Sequence, residues 1–293
     1  MKIRRLSYAL GAEVSGVDIG KPLTDAAFGE IHRAFLDHCL LLFRGQLITR
    51  AQYVAFSKRF GQLRDDQPGN LPEYPEIKAL VSKPKPNGAP ADPNFNGSDW
   101  HSDMSYSPNP IIITMLKAVD IPEVGGDTQW ANLYLAYDTL SETMKRTIAP
   151  LEGVHMEQET ELDHSSLEAL AAMRRAKTSA HPLARVHPET GRTCLYVGDK
   201  TRLIAGMTGE ESDSLLTFLR NHVRRPQFTY RHQWQKDDLI VWDQRCTNHN
   251  AIGDYNRRGE LRFLEKTTLR GPVTGRRYED PTGTRNTTTT FTL

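Results

Sequence analysis

Trp100-His101-Ser102-Asp103 sets an imidazole and a carboxylate two residues apart. On a strand, positions i and i+2 project to one face, so His101 and Asp103 could meet a single ion. Completed by a distant second histidine, such a pair forms the facial set of non-haem iron(II) oxygenases. That set leaves three positions open for a co-substrate and oxygen. Alone the pair is a weak signal, because His-x-Asp recurs by chance.

The second histidine must come from elsewhere among the ten in the chain. His32 and His38 fall on a predicted helix, and His222 lies near a helix end, where a cation suits the dipole. His181 and His187 precede prolines and read as loop or strand-edge residues. His249 differs: the apolar strand Leu239-Ile-Val-Trp242 leads through Asp243 to Asn248 and delivers it to a turn. Further on, Arg262 sits inside the strand-like run from Gly259 to Leu269. An arginine among apolar strand residues needs an anionic partner, since an unpaired buried charge is costly. An internal Asp or Glu is the ordinary partner. A bound carboxylate is the other, because the planar guanidinium fork fits it.

The elements that must position these residues are partly legible. Thr24 caps a helix over Asp25 to His38, with Phe28, Ile31, Phe35 and Leu36 at helical spacing. Thr49-Arg-Ala-Gln52 opens a second helix through Tyr53, Phe56 and Phe60, closed by Gly61. Leu40 to Phe43 between them, Ile111 to Ile121, Leu239 to Trp242 and Gly259 to Leu269 predict strands. Thr208-Gly-Glu-Glu211 opens a helix over Met207 to Val223, and 164–176 has a fainter helical pattern. Seven of the 17 prolines fall in 64–99, which predicts a long surface or lid loop. Residues 272–293, with a threonine run, predict a poorly ordered tail. The pattern is α+β, mainly β: one domain over 1–293, a sandwich or barrel with flanking helices.

Composition narrows the function. Across 293 residues, 37 basic side chains balance 36 acidic ones, for a net charge of +1. That argues against a nucleic-acid or membrane-surface binder, whose footprint is a basic excess. Arg224-Arg225 to Arg231-His232 is the one basic cluster, and a solvated edge is its plainer explanation. Cys39, Cys194 and Cys246 are too dispersed for a disulfide framework or a cysteine zinc site and fit a reducing, cytoplasmic setting. No secretory or membrane-spanning segment is visible, and Walker A, GxGxxG, HExxH and GxSxG sequences are absent.

Taken in order, a set of segments resembles one family. They are Leu10-Gly-Ala-Glu-Val-Ser-Gly-Val-Asp18, Phe43-Arg-Gly-Gln46, Phe56-Ser-Lys-Arg-Phe-Gly61, Trp100 to Asp103 and Gly125-Gly-Asp-Thr128. His187 to Arg192, Trp242-Asp-Gln-Arg245 with Thr247 and His249, and Arg262 to Gly271 follow. The chain resembles the iron(II)/2-oxoglutarate-dependent dioxygenases of the taurine and chlorophenoxyacetate dioxygenase family, and is similar also to phenoxypropionate dioxygenases. The resemblance covers about Leu10 to Gly271.

The resemblance implies His101, Asp103 and His249 as iron(II) ligands, and Arg262 and Thr128 as the residues that hold the distal carboxylate of 2-oxoglutarate. It implies a double-stranded β-helix, the jelly roll shared with cupins. The implied reaction consumes O2, converts 2-oxoglutarate to succinate and CO2, and hydroxylates a C–H bond of a second, small-molecule substrate. Family members commonly place a basic residue four positions after the co-substrate arginine, where it meets a sulfonate or carboxylate. Here that residue is Lys266, about 13 Å along the same strand face. An acidic neighbour or solvent could equally take its charge. A small organic anion (carboxylate, sulfonate or sulfate ester) is the expected substrate, and a homo-oligomer without nucleic-acid or membrane partners the expected assembly. A non-catalytic cupin-like binding protein would share the fold without needing the complete set of residues. Succinate production that depends on oxygen separates the two.

Overall fold

The computed structural model describes residues 1–82, 97–157, 177–255 and 261–278. The chain opens with β1 (Lys2–Arg5) and β2 (Ala12–Ser15), followed by α1 (Asp25–His38). The Thr24 hydroxyl caps α1 by accepting from the Ala27 N–H, and the helix stops at Cys39 in a left-handed conformation (φ 62°). That turn feeds the wholly buried strand β3 (Leu40–Phe43). Helix α2 (Arg50–Lys58) begins with the expected capping box between Thr49 and Gln52. It ends before Phe60, because Arg59 already bonds back to Phe56 and Ser57 in a tightened last turn.

Next come β4 (Asn70–Leu71), β5 (Tyr74–Ser82), β6 (Ile113–Asp120), β7 (Thr128–Asn132), α3 (Leu133–Asp138) and α4 (Glu142–Ile148). Strands β8 (Glu152–Met156), β9 (Thr178–Pro182), β10 (Ala184–Val186), β11 (Thr193–Leu195) and β12 (Thr201–Ile204) lead to α5 (Gly209–Val223). The last strands are β13 (Thr229–His232), β14 (Leu239–Asp243), β15 (Thr247–Ala251), β16 (Arg262–Leu269) and β17 (Arg276–Arg277).

An eight-stranded sheet runs β1-β2-β3-β14-β6-β16-β5-β4, antiparallel except between β2 and β3. Shorter sheets, β13-β7-β15 and β12-β8-β9-β17, accompany it. The alternation of strand side chains separates two cores. On one face of the large sheet, Leu41, Phe43, Ile77, Met115 and Val241 pack with Ile31, Phe35 and Tyr53 of α1 and α2. On the other face, Leu42, Leu116, Ile240, Trp242 and Leu264 pack with Trp130 of β7 and Leu195 and Tyr196 at β11. The site lies on this inner face.

Three expectations need correcting. The predicted 64–99 loop holds β5, a nine-residue strand of the large sheet paired with β16 from Arg262↔Ser82 to Lys266↔Lys78. Only Pro75, second in the strand, falls inside β5 and the other prolines lie outside it, so composition averaged over the window hid the strand. In the predicted tail, Arg276 and Arg277 pair with β9 and Tyr278 is buried. His222 is not a cationic cap: it is buried, bonds the Ala136 carbonyl, and burial lowers its pKa. The 164–176 helix, Lys83 and Lys85 of the loop, and 279–293 of the tail lie outside the described residues.

Tyr53 shows what docks α2. Its buried hydroxyl lies 3.0 Å from the Met115 carbonyl and accepts the Thr267 N–H at 3.1 Å, tying the helix to β6 and β16. Tyr53→Phe should lower unfolding stability by about 1–3 kcal/mol, the cost of buried polar groups left without a partner. A urea titration followed by far-UV circular dichroism measures this, and an unchanged midpoint would mean the hydroxyl does not dock the helix.

Candidate active site

His101 and His249 face each other across an isolated antiparallel bridge. The His101 N–H donates to the His249 carbonyl at 3.0 Å, and the His249 N–H returns the bond at 2.8 Å. Paired backbones bring the rings to 4.2 Å between centroids. The segment carrying His101 is therefore a single bridge running into a turn, not the regular strand expected, and His249 lies within β15, not at a turn. Asp103 opens the turn that follows, with Met104 held at φ 54°. It still meets the histidines. Asp103 Oδ1 is 3.5 Å from His101 Nε2 and 3.8 Å from His249 Nε2, and the three ligand atoms lie within 4.8 Å of one another.

The surroundings fix His101 and Asp103. His101 Nδ1 donates to the Asp99 carbonyl at 2.8 Å, so Nε2 presents a lone pair inward. Trp100 is pinned to Asp199 by a pair of bonds, its N–H donating at 2.8 Å and its carbonyl accepting at 2.7 Å. The Ser102 hydroxyl donates to the Thr247 carbonyl at 2.8 Å. Gln244 grips Asp103 at two points: it accepts the Asp103 N–H at 3.0 Å and donates to Oδ2 at 3.0 Å. Thr114 of β6 also donates to Oδ2, at 3.1 Å. These contacts occupy Oδ2 and leave Oδ1 turned toward the histidines.

Charge follows the same division. Burial alone would raise the Asp103 pKa, but the Lys266 ammonium and the two imidazoles hold it well below the usual carboxylate range. Burial, reinforced by His101, holds His249 well below the ordinary imidazole range. An ionised carboxylate beside a neutral imidazole is the donor state a divalent metal requires.

Arg262 and Thr128 also meet. Arg262 is buried, its Nε donates to the Gly126 carbonyl at 2.9 Å, and an Nη lies 3.4 Å from the Thr128 hydroxyl. Among the described residues no carboxylate lies within salt-bridge distance of it, and burial lowers its pKa. The Thr128 oxygen also accepts the Trp234 indole N–H at 3.0 Å, so its own hydrogen remains available to an anion. The double glycine allows the approach: Gly126 has φ 70°, and a Cβ there would stand 3.0 Å from Arg262 Cδ. Along the β7–β15 ladder Trp130 pairs with His249 and Thr128 with Ala251. Thr128 thus shares a face with Trp130 one strand step, about 7 Å, away.

Lys266 projects to the inner face, its Nζ 3.6 Å from Asp103 Oδ2. A crevice beside His101 is lined by Ser102, Ser105, His155, Tyr196 and Lys200. Gln244, Thr114, Asp99 and Trp234 escaped the sequence reading. Gln244 lies inside a motif quoted for other reasons, and Thr114 is a hydroxyl in an otherwise apolar strand. The basic cluster is dispersed: Arg224 pairs with Asp199, Arg231 with Asp127 and Asp254, and His232 with buried Asp238.

The chain that carries this arrangement resembles known proteins along nearly its whole length. Residues 2–268 match the family described as taurine catabolism dioxygenase TauD, TfdA family. The chain belongs to that family. An alkylsulfatase of Acinetobacter baylyi is 32% identical over 286 residues, covering 94% of this chain and 86% of its own. The (S)-phenoxypropionate/alpha-ketoglutarate-dioxygenase of Delftia acidovorans is 32% identical over 261 residues, covering 86% and 89%. The crystal structure of a taurine dioxygenase from Burkholderia xenovorans superposes with a TM-score of 0.81 at 34% identity, covering 95% of this chain and 94% of that one. The fold is accordingly the double-stranded β-helix, with helices on the outer face of its larger sheet. This TauD, TfdA family member is an oxidoreductase, an iron(II)/2-oxoglutarate-dependent dioxygenase that uses O2.

Gln244 supplies a test of the support around Asp103. Partners behind a metal ligand typically account for 10–100-fold in metal affinity, so Gln244→Leu should weaken Mn(II) binding by about that range. Titration followed by electron paramagnetic resonance reads it directly. Wild-type affinity would show that Asp103 needs no such support.

Proposed function

We propose that His101 Nε2, His249 Nε2 and Asp103 Oδ1 hold the iron(II), that Arg262 and Thr128 hold the distal carboxylate of 2-oxoglutarate, and that the second substrate is a small organic anion met by Lys266. The observation that carries this is the buried Arg262 guanidinium, without a carboxylate in salt-bridge distance among the described residues and beside Thr128, which lies one strand step from Trp130, the residue paired with His249. When bound, iron supplies the oxygen activation that couples decarboxylation of 2-oxoglutarate, giving succinate and CO2, to hydroxylation of a C–H bond.

The chain supplies placement. Asp103 stays ionised and is held at Oδ2, so Oδ1 keeps one direction. Arg262 offers a fork whose geometry suits a carboxylate, and the Thr128 hydroxyl donates to the same group. Trp242, its ring 5.1 Å from His249, and Trp130 wall the site against water. Fixed orientation and a dry site are the protein's contribution to such chemistry. Alkyl sulfate, phenoxypropionate and taurine, the compounds to which the relatives' names refer, all carry an anionic group, which supports an anionic substrate here. Pairing of Arg224 and Arg231 with carboxylates supports a small-molecule substrate over nucleic acid. Three buried free cysteines, with no described helix long and apolar enough to cross a membrane, support a cytoplasmic setting.

Succinate release should require both O2 and Fe(II), and His101→Ala, Asp103→Ala and His249→Ala should each abolish nearly all of it. Full turnover in His249→Ala would sink the ligand assignment. Leaving a buried charge partner unpaired costs about 3–5 kcal/mol, so Arg262→Ala should weaken 2-oxoglutarate binding at least about a hundredfold. Thr128→Val removes one charge-assisted bond, about 1.5–3 kcal/mol, and should cost less. Calorimetry on the Mn(II) protein separates these. Normal affinity in both variants would put the carboxylate elsewhere.

A further inference from the structure

The β5–β16 register sets Lys78 directly opposite Lys266. Both project to the inner face. Ile77, one position before Lys78, packs in the outer core, while Leu80, two positions after, packs against the inner core. Likewise Glu265 pairs with Arg50 of α2 at 2.6 Å, while Leu264 is in the inner core. Like charges facing each other across a ladder destabilise it, and Lys78 is half-buried besides. Burial, then the charge of Lys266, lowers the Lys78 pKa, and Arg64 adds to this against the pull of Asp103.

Nothing among the described residues compensates Lys78 directly. No described carboxylate lies within salt-bridge distance of its Nζ. Gly69 (φ 83°) stands over its aliphatic stem, where even an added Cβ would remain 3.7 Å from Cε, so this neighbour brings no side chain to it. Lys266 has Asp103 at 3.6 Å, but that carboxylate is committed to the metal in the function proposed above. Lys266 thus shares one carboxylate with the metal, and Lys78, facing the same side of the mouth, has none in salt-bridge distance among the described residues.

We propose that Lys78 and Lys266 together form the seat for the anionic head of the second substrate, and that this head is a sulfate ester or sulfonate in preference to a carboxylate. The inference rests on the dioxygenase function above and adds a specificity residue, Lys78, that the sequence reading did not contain. The preference follows from donor geometry. An arginine fork matches the two coplanar oxygens of a carboxylate, whereas ammonium groups are point charges with three rotatable donors each. Two of them approaching from opposed strands can share three tetrahedrally arranged oxygens without imposing a plane.

The test titrates hexyl sulfate, 1-hexanesulfonate and hexanoate into the Mn(II)- and 2-oxoglutarate-loaded protein by calorimetry. Wild type should bind the two sulfur oxyanions more tightly than hexanoate. Lys78→Met should weaken both at least about tenfold, the effect of one charge-assisted hydrogen bond, and erase the preference. Lys78→Arg should restore affinity but favour hexanoate relative to wild type. The thermal midpoint of Lys78→Met should not fall, because a like-charge pair is relieved, and Lys78→Gln provides the same comparison should the methionine variant not fold. Unchanged oxyanion affinity in both neutral variants, or a wild type that binds none of the three probes, would overturn the proposal. Throughout, 2-oxoglutarate affinity should stay at the wild-type value. A wild type unable to bind 2-oxoglutarate would instead overturn the function on which the inference rests.

Discussion

A guanidinium buried without a counterion is among the more expensive things a protein interior can hold, and Arg262, with no carboxylate in salt-bridge distance among the described residues, is the constraint around which this fold is arranged. The Gly126 carbonyl and the Thr128 hydroxyl satisfy part of its hydrogen bonding but none of its charge. Gly125 and Gly126 have no side chains because Asp254 and Arg262 occupy the space a Cβ would need. Gly126 donates to Asp254 at 2.8 Å, and Arg231 joins Asp254 to Asp127, so the turn is locked from the far side as well. A rigid cradle around an uncompensated cation is an arrangement that a bound carboxylate completes.

The remaining charges follow a consistent order across the inner face. Asp103 lies beside two imidazoles, with Lys266 behind it and Lys78 across the ladder from Lys266. One carboxylate oxygen is given to Gln244 and Thr114, and the other is left to the histidines. The large sheet supplies Arg262, Lys266, Lys78 and Thr114, whereas His249 and Thr128 come from the shorter β13-β7-β15 sheet. The site therefore exists only where the two layers meet, and the inner core of Trp130, Trp242, Ile240 and Leu264 holds them at that spacing. Helices α1 and α2 act at one remove, packing the outer face and anchoring β16 through Tyr53 and the Arg50–Glu265 pair.

Much of this was legible in the sequence where local rules govern. Thr24, Thr49 and Thr208 cap helices as their spacing predicts, and strands β3, β6, β14 and β16 follow their apolar runs. The residues proposed for the site, His101, Asp103, His249, Arg262 and Thr128, drew attention in the sequence because residue type and the order of the family-like motifs single them out. Other features were not. Strand β5 was hidden because a composition window averages the prolines around it, and Pro75 at its start, with the rest of the strand. The His101–Asp103 segment converges through one bridge and a turn, which an alternation rule cannot foresee. Gln244 and Lys78 are ordinary polar residues until tertiary register gives them partners. Pairing across strands distant in sequence is information that periodicity does not carry.

The most direct test of the account is a crystal structure of the protein with Mn(II) and N-oxalylglycine, a combination already captured in a relative with a TM-score of 0.77. Manganese scattering should lie between His101, Asp103 and His249, with the far carboxylate of the analogue paired to Arg262 and the Thr128 hydroxyl. A metal seated elsewhere, or an analogue whose carboxylate leaves Arg262 unpaired, would contradict it.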